Sequence, residues 1–160
     1  MRYILFTLCL FMASIADCQN IKMKITGVTD AAGEDIIAFE ASDTLQIASI
    51  GGGGTSTTTK FEVVKIKKAR GTSTNELFKR TMNANHFADV TFEFNDAGGS
   101  LYYKIVIKDV TVNHFSFLSP ECTNCSKLLH QAWFSFTKIE WTDIATGNTA
   151  KYDLTARTFY

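Results

Sequence analysis

Proline is almost absent, with one residue in 160, which excludes a proline-rich linker or a polyproline ligand. A surplus of either charge is missing too, since 16 Lys and Arg balance 16 Asp and Glu. Phosphate recognition draws on an excess of basic side chains, so this balance argues against a nucleic-acid partner. Beyond residue 18 no apolar stretch approaches the about 20 residues that a membrane-spanning helix needs. Aromatics, by contrast, are plentiful: 13 Phe, 5 Tyr and 2 Trp argue against intrinsic disorder. With 46% hydrophobic and 20% charged residues the composition is that of an ordinary globular chain. The length suits one domain, large enough to bury about two thirds of its unfolded surface. Composition alone says nothing about function.

Arg2 gives a short positive start, and residues 3–12 are nearly all apolar. Ala13, Ser14, Ala16, Asp17 and Cys18 follow, completing the three-part pattern of a secretory signal peptide over residues 1–18. Two small-x-small cleavage sites fit, after Ala16 or after Cys18. A lipoprotein anchor on Cys18 fits less well, because Asp17 stands where a small uncharged residue is needed. The remaining residues 19–160 form one domain that stays neutral and is expected outside the cytoplasm, secreted or periplasmic. It keeps Cys122 and Cys125, and in an oxidising compartment a disulfide between them is the default expectation.

Residues 19–160 read as strands with one helix. Ile21, Met23 and Ile25 alternate with Lys22, Lys24 and Thr26, as on a half-buried strand. Further strands follow over 36–40, 44–50 and 61–67. Between the last two, Gly51, Gly52, Gly53 and Gly54 with the Thr/Ser run to Lys60 read as a flexible loop. Ser73-Thr74-Asn75-Glu76 has the pattern of a capping box. Leu77, Phe78, Thr81 and Met82 then predict a helix over about 74–84 packed on a sheet. Val90, Phe92 and Phe94 share one strand face, and Asn95 to Ser100 is a hairpin turn. Parity changes between Ile107 and Val110, and again between Phe136 and Ile139, predict a bulge near Lys108-Asp109 and a matching one beyond. Such slips curl a sheet toward closure. The fold class is therefore all-β, a small barrel or two-sheet sandwich with one flanking helix.

The motifs with a chemical reading are weak. The glycine run lacks the Gly-Lys-Ser/Thr ending of a phosphate loop and leads into a strand rather than a helix. Cys122-Thr123-Asn124-Cys125 has redox spacing, but it follows Ser119-Pro120-Glu121 in a loop rather than opening a helix, so a structural disulfide is favoured. Zinc would need two more ligands, for which His114 and His130 are the nearest candidates. Asn124-Cys125-Ser126 matches the glycosylation pattern, and a disulfide at Cys125 would hinder its use. His86, His114 and His130 are scattered without a nucleophile. No catalytic residues, cofactor or metal site are assigned.

The region from Leu101 onward carries the most distinctive residues. Tyr103-Lys104-Ile105-Val106-Ile107-Lys108-Asp109-Val110 precedes a Ser-Pro loop. Phe134 to Trp141 follows, with Lys138-Ile139-Glu140-Trp141 its most specific part, and then Tyr152-Asp153-Leu154. In order and spacing these segments resemble the haemolysin co-regulated protein (Hcp) family, the tube protein of type VI secretion. Met23 to Val28, Phe61 to Lys68 and the helix followed by His86 extend the resemblance over nearly all of residues 21–156. It implies a small β-barrel flanked by a helix, six copies closing into a ring, and rings stacking into a hollow tube. It also implies service as exported cargo and as carrier of small effectors in the lumen. Gly51 to Lys60 corresponds to the family's extended loop, a candidate assembly element. Family tube subunits leave through the secretion apparatus without a cleavable signal, and this chain departs from them by carrying one.

The reading is an exported, non-enzymatic, self-assembling ring or tube protein. The alternative is a secreted monomeric β-sandwich module that binds a glycan or a protein. Expression of the full chain in a secreting bacterium should yield a mature protein starting at Asp17 or Gln19, checked by intact mass; an uncleaved Met1 would contradict the signal peptide.

Overall fold

The computed structural model describes residues 20–50, 54–118 and 128–160. The predicted signal over 1–18, Gly51, Gly52, Gly53, and the Cys122, Asn124 and Cys125 segment lie outside them. In chain order the elements are β1 Asn20–Ile25, β2 Glu34–Ile36, β3 Ala38–Ile50, β4 Gly54–Ala69, α1 Thr74–Asn83, β5 His86–Asn95, β6 Leu101–Leu118, β7 Leu129–Ser135, β8 Lys138–Asp143, β9 Thr149–Asp153 and β10 Thr158–Phe159.

All described strand pairs are antiparallel, and one path runs β2-β1-β5-β6-β8-β9-β10. A second branch leaves β6 through β7 to β4 and β3. The branches share β6: its first part pairs with β8, and its last part, from Thr111 on, pairs with β7. They come together again where β2 runs on into β3, for the Ile37 amide donates to the Lys67 carbonyl at 2.7 Å. The sheet thus curls around one core.

That core is what alternation dictates. Met23 and Ile25 point inward from β1 and lie opposite Phe92 and Val90 of β5. Val64 and Ile66 of β4 and Ala132 and Phe134 of β7 close the other wall. Phe39 meets Phe92 edge-on at 4.9 Å and Phe94 at 5.2 Å. The helix contributes the fully buried Leu77 and lies against β6. It ends at Ala84, whose φ of 51° is left-handed and stops the helical hydrogen bonding.

The parity changes are present and face each other. Asp109 takes a left-handed φ of 52°, so Ile107 and Val110 both reach the core across a three-residue step. Thr137 crosses over from it: its hydroxyl donates to Asp109 Oδ2 at 2.7 Å and its amide to the Lys108 carbonyl at 3.1 Å. The formal register shift, however, falls between Val112 and His114, where β6 turns to follow β7. The hairpin turn is as expected, with Asp96 accepting the Ser100 amide at 2.8 Å and Gly99 at φ 83°.

Two expectations need correction. Residues 54–60 are strand rather than flexible loop: β4 begins at Gly54, which pairs with Ile50, and the register continues to Lys60 opposite Thr44. Four threonines among residues 55–59 favour extended backbone, a preference that the neighbouring glycines mask in a composition window. The capping box does not form, since Ser73 makes no side-chain cap hydrogen bond.

Phe92 is fully buried, so Phe92→Ala should lower unfolding free energy by about 3–5 kcal/mol. Ile37→Ala, at a residue 57% exposed, should change it by less than about 1 kcal/mol. Urea titrations of the two variants against the parent check both values.

Candidate functional site

The most distinctive sequence segments fall on adjacent strands. β8 pairs with β9 so that Lys138 faces Asp153, Ile139 faces Tyr152, Glu140 faces Lys151 and Trp141 faces Ala150. Ile139 and Tyr152 turn into the core, with Trp141 and Leu154 packed against its edge. The polar partners close the outer face. Glu140 receives Lys108 at 2.7 Å and lies 3.6 Å from Lys151, while the Tyr160 hydroxyl donates to it at 3.3 Å. The Lys108 contact, outweighing partial burial, holds the Glu140 carboxyl below its ordinary range. Asp153 caps the next turn, accepting the Thr155 and Ala156 amides at 2.9 and 2.8 Å, with Lys138 at 3.6 Å. Leu154 donates its amide to the Thr137 carbonyl at 2.8 Å, tying this hairpin to the kink beside Asp109. These residues hold one hairpin in register; they present no reactive group.

A second polar cluster went unforeseen. Lys68 continues the inward parity of Val64 and Ile66 and is 1% exposed, yet it carries an ammonium. That group donates to the Glu34 carboxylate and, at 2.9 Å, to Ser73 Oγ. The same carboxylate accepts the Ser73 hydroxyl, the Ser73 amide at 2.9 Å and the Thr72 hydroxyl at 2.8 Å. Burial alone would push the Glu34 carboxyl up. The hydrogen bonds from Lys68, Ser73 and Thr72 outweigh it and hold the group down to about 2. Burial holds Lys68 below its usual range, with Glu34 opposing. A Cβ on Gly71 would collide with the Glu34 carboxylate, so any larger residue there would displace that group from its partners. This use of Ser73 explains the missing capping box: its hydroxyl is spent on β2 and β4, and Glu76 pairs instead with Lys79 at 2.9 Å. Parity at Lys68 was the available sequence signal; nothing pointed to Glu34.

A serine beside a lysine is also the atom set of a nucleophile and its base. Here Ser73 is fully buried and the lysine charge is neutralised by Glu34, so no substrate carbonyl can reach the pair. The three histidines stay apart. His86 Nδ1 lies 3.0 Å from the exposed Thr111 hydroxyl, His114 packs on Trp133 at 4.6 Å, and His130 is buried against Phe115. Among the described residues no group of three or more His, Cys, Asp or Glu is placed to hold a metal ion.

The fold and the motif hairpin can now be set beside other proteins. A sequence model for the family described as "Type VI secretion system effector, Hcp" matches residues 20–142. The chain belongs to the Hcp family. Its fold is similar to that of Hcp1 from Salmonella typhimurium, with TM-score 0.71 at 18% identity, covering 89% of this chain and 99% of that one. A structure described as a type six secretion system protein gives TM-score 0.73 at 12% identity, covering 88% and 99%. Hcp1 from Flavobacterium johnsoniae gives 0.63 at 14%, covering 84% and 98%. No curated protein matches the chain in sequence.

Two surface features of this Hcp-family chain stand out. Among the described residues, β3 and β4 pair with each other alone from residue 43 to 50 and from 54 to 61, because β4 meets β7 only from Val64 on. They form a two-stranded arm without charge between Asp43 and Lys60. The other feature is apolar. Phe78 and Met82 of α1 are 47% and 71% exposed, and Phe117 of β6 is 56% exposed. Phe115 links the two elements, at 5.8 Å from Phe78 and 5.2 Å from Phe117. No described helix is long and apolar enough to cross a membrane.

Removing one partner of the buried pair leaves the other charge stranded, so Lys68→Ala or Glu34→Ala should each cost about 3–5 kcal/mol. The double variant Glu34→Leu/Lys68→Met should cost less than either. Urea unfolding of all three checks this, and equal additive losses would contradict the coupling. Because the folded Glu34 titrates below its ordinary value, the stability it contributes is complete above about pH 4.5 and is lost as pH falls toward 2.

Proposed function

We propose that the chain is an exported, non-catalytic subunit that assembles with copies of itself into hexameric rings, and that rings stack into a tube able to carry small effectors. Membership of the Hcp family supports this, and the β3–β4 arm is the observation that carries it. A two-stranded ribbon is marginal in water by itself. Among the described residues nothing else pairs with its backbone edges over 43–50 and 54–61, and such edges invite pairing with another chain. Head-to-tail contacts of this kind close into rings when the rotation returns on itself and continue as filaments when it does not. The candidate assembly residues Gly51, Gly52 and Gly53 stand in sequence between Ile50 and Gly54, the last paired residues of the β3–β4 ladder.

The signal over residues 1–18 routes the subunit to the periplasm or the medium, where Cys122 and Cys125 form a disulfide. The charge balance of the domain suits close packing of copies, because no long-range repulsion opposes it.

Light scattering and negative-stain microscopy on the mature chain should show rings. A variant with residues 46–58 replaced by an Asn-Gly turn should keep its far-ultraviolet circular dichroism and fall to monomers. A parent chain that is strictly monomeric at high concentration would overturn the proposal, as would an armless variant that still forms rings and tubes.

A further inference from the structure

His130 is the least comfortable residue in the molecule. It lies on β7 with no exposed surface, and neither ring nitrogen meets a hydrogen-bond partner among the described residues. Its cross-strand neighbour on β4 is Lys68, and on its other side Phe117 of β6. The Phe115 ring stacks on it at 5.1 Å with planes 30° apart. A neutral imidazole tolerates this apolar slot; an imidazolium does not, since a buried charge needs a partner.

The charges around it make matters worse for a second cation. From β4 comes the Lys68 ammonium, and from β2 the Glu34 carboxylate; β6 offers only the rings of Phe115 and Phe117. Glu34 is already fully engaged by Lys68, Ser73 and Thr72. Among the described residues, one anion would have to balance two buried cations.

We infer that His130 is an acid-triggered latch, and that a proton on its ring drives Lys68 away from Glu34 and Ser73 and frees the start of α1. The steps follow from the geometry. Imidazolium and ammonium repel across the β4–β7 pair, and the strain is relieved when Lys68 swings out or the strands part to admit water. Either movement breaks the bond from Lys68 to Ser73, the residue whose carbonyl accepts the first helical amide, from Leu77, at 2.9 Å. α1 then loses its anchor, and with it the placement of Phe78 and Met82. The inference does not rest on ring formation.

The direction with pH is determined. Burial foremost, and then Lys68, hold the His130 ring down to about 4, against an ordinary value of 6.5. The unfolded chain therefore takes up this proton first. Stability from the neutral ring is complete above about pH 6.5 and drains away as pH falls to 4. The Glu34 contribution falls mainly lower, from about pH 4.5 toward 2, and is common to parent and His130 variant.

The test compares the full chain with His130→Phe, which keeps an aromatic ring against Phe115 and cannot take a proton. Between pH 7 and pH 4 the unfolded-to-folded ratio of the parent should rise about 100-fold more than that of the variant. Protection of α1 amides from hydrogen exchange, taken relative to the intrinsic rate at each pH, should fall over the same range in the parent only. Nuclear magnetic resonance titration of the parent's histidines gives a second reading that needs no variant, with His130 expected near 4. Equal pH profiles for parent and variant, unchanged α1 exchange, or a His130 titrating at its ordinary value would each overturn the latch.

Discussion

One carboxylate holds the joint on which the rest of this fold depends. Glu34 leaves β2 and receives donors from Lys68 of β4 and from Thr72 and Ser73, the two residues that lead into α1. The chain between β4 and β5 passes through α1, which lies against β6, and apolar packing alone gives that crossing no defined angle. Hydrogen bonds do, because they are directional. Leu77 then drops into the core from a helix whose start cannot slide. The joint is costly, since an ammonium is taken out of water, and it is tolerable because Lys68 donates to both Glu34 and Ser73. Gly71 completes it by having no side chain to collide with the carboxylate.

A second constraint shapes the sheet. β6 is 18 residues long and serves two branches, which a flat strand could not do. The left-handed Asp109, answered across the ladder by Thr137, lets the inward face continue after a half-step, so that Ile107, Val110 and Val112 all reach one core. The motif hairpin of β8 and β9 is fastened at this same kink through the Leu154 amide. The most recognisable residues, Lys138 to Trp141 and Tyr152 to Leu154, therefore act on curvature and register. The exposed apolar side chains Phe78, Met82 and Phe117 lie elsewhere, on α1 and β6.

Much of this was legible beforehand, and the reasons are local. Alternation in β1, β5 and β6 reports which side chains turn inward, because a strand's period is fixed by its backbone. The slip at Lys108-Asp109 and its echo before Ile139 were visible for the same reason. The helix over Thr74–Asn83 was readable from its apolar spacing, though Ser73 and Glu76 do not cap it as their pattern suggests. The arm was misread as loop over residues 54–60, since glycine and threonine pull a composition window in opposite directions. Strand pairing with residues 44–50 decided the matter.

By itself, the sequence determined what short-range physics controls: the strand faces, the helix, the hairpin turn and, through the order and spacing of its motifs, the Hcp resemblance that the family match bears out. Tertiary structure alone decided what depends on residues far apart in the chain. Glu34 and Lys68 are 34 positions apart, and no periodicity couples them. His130 looked like any loop or surface histidine until β4 and β6 closed on either side of it. A buried charge and a buried neutral ring acquire their meaning from the surroundings that folding builds, because the cost of each depends on which partners arrive with it.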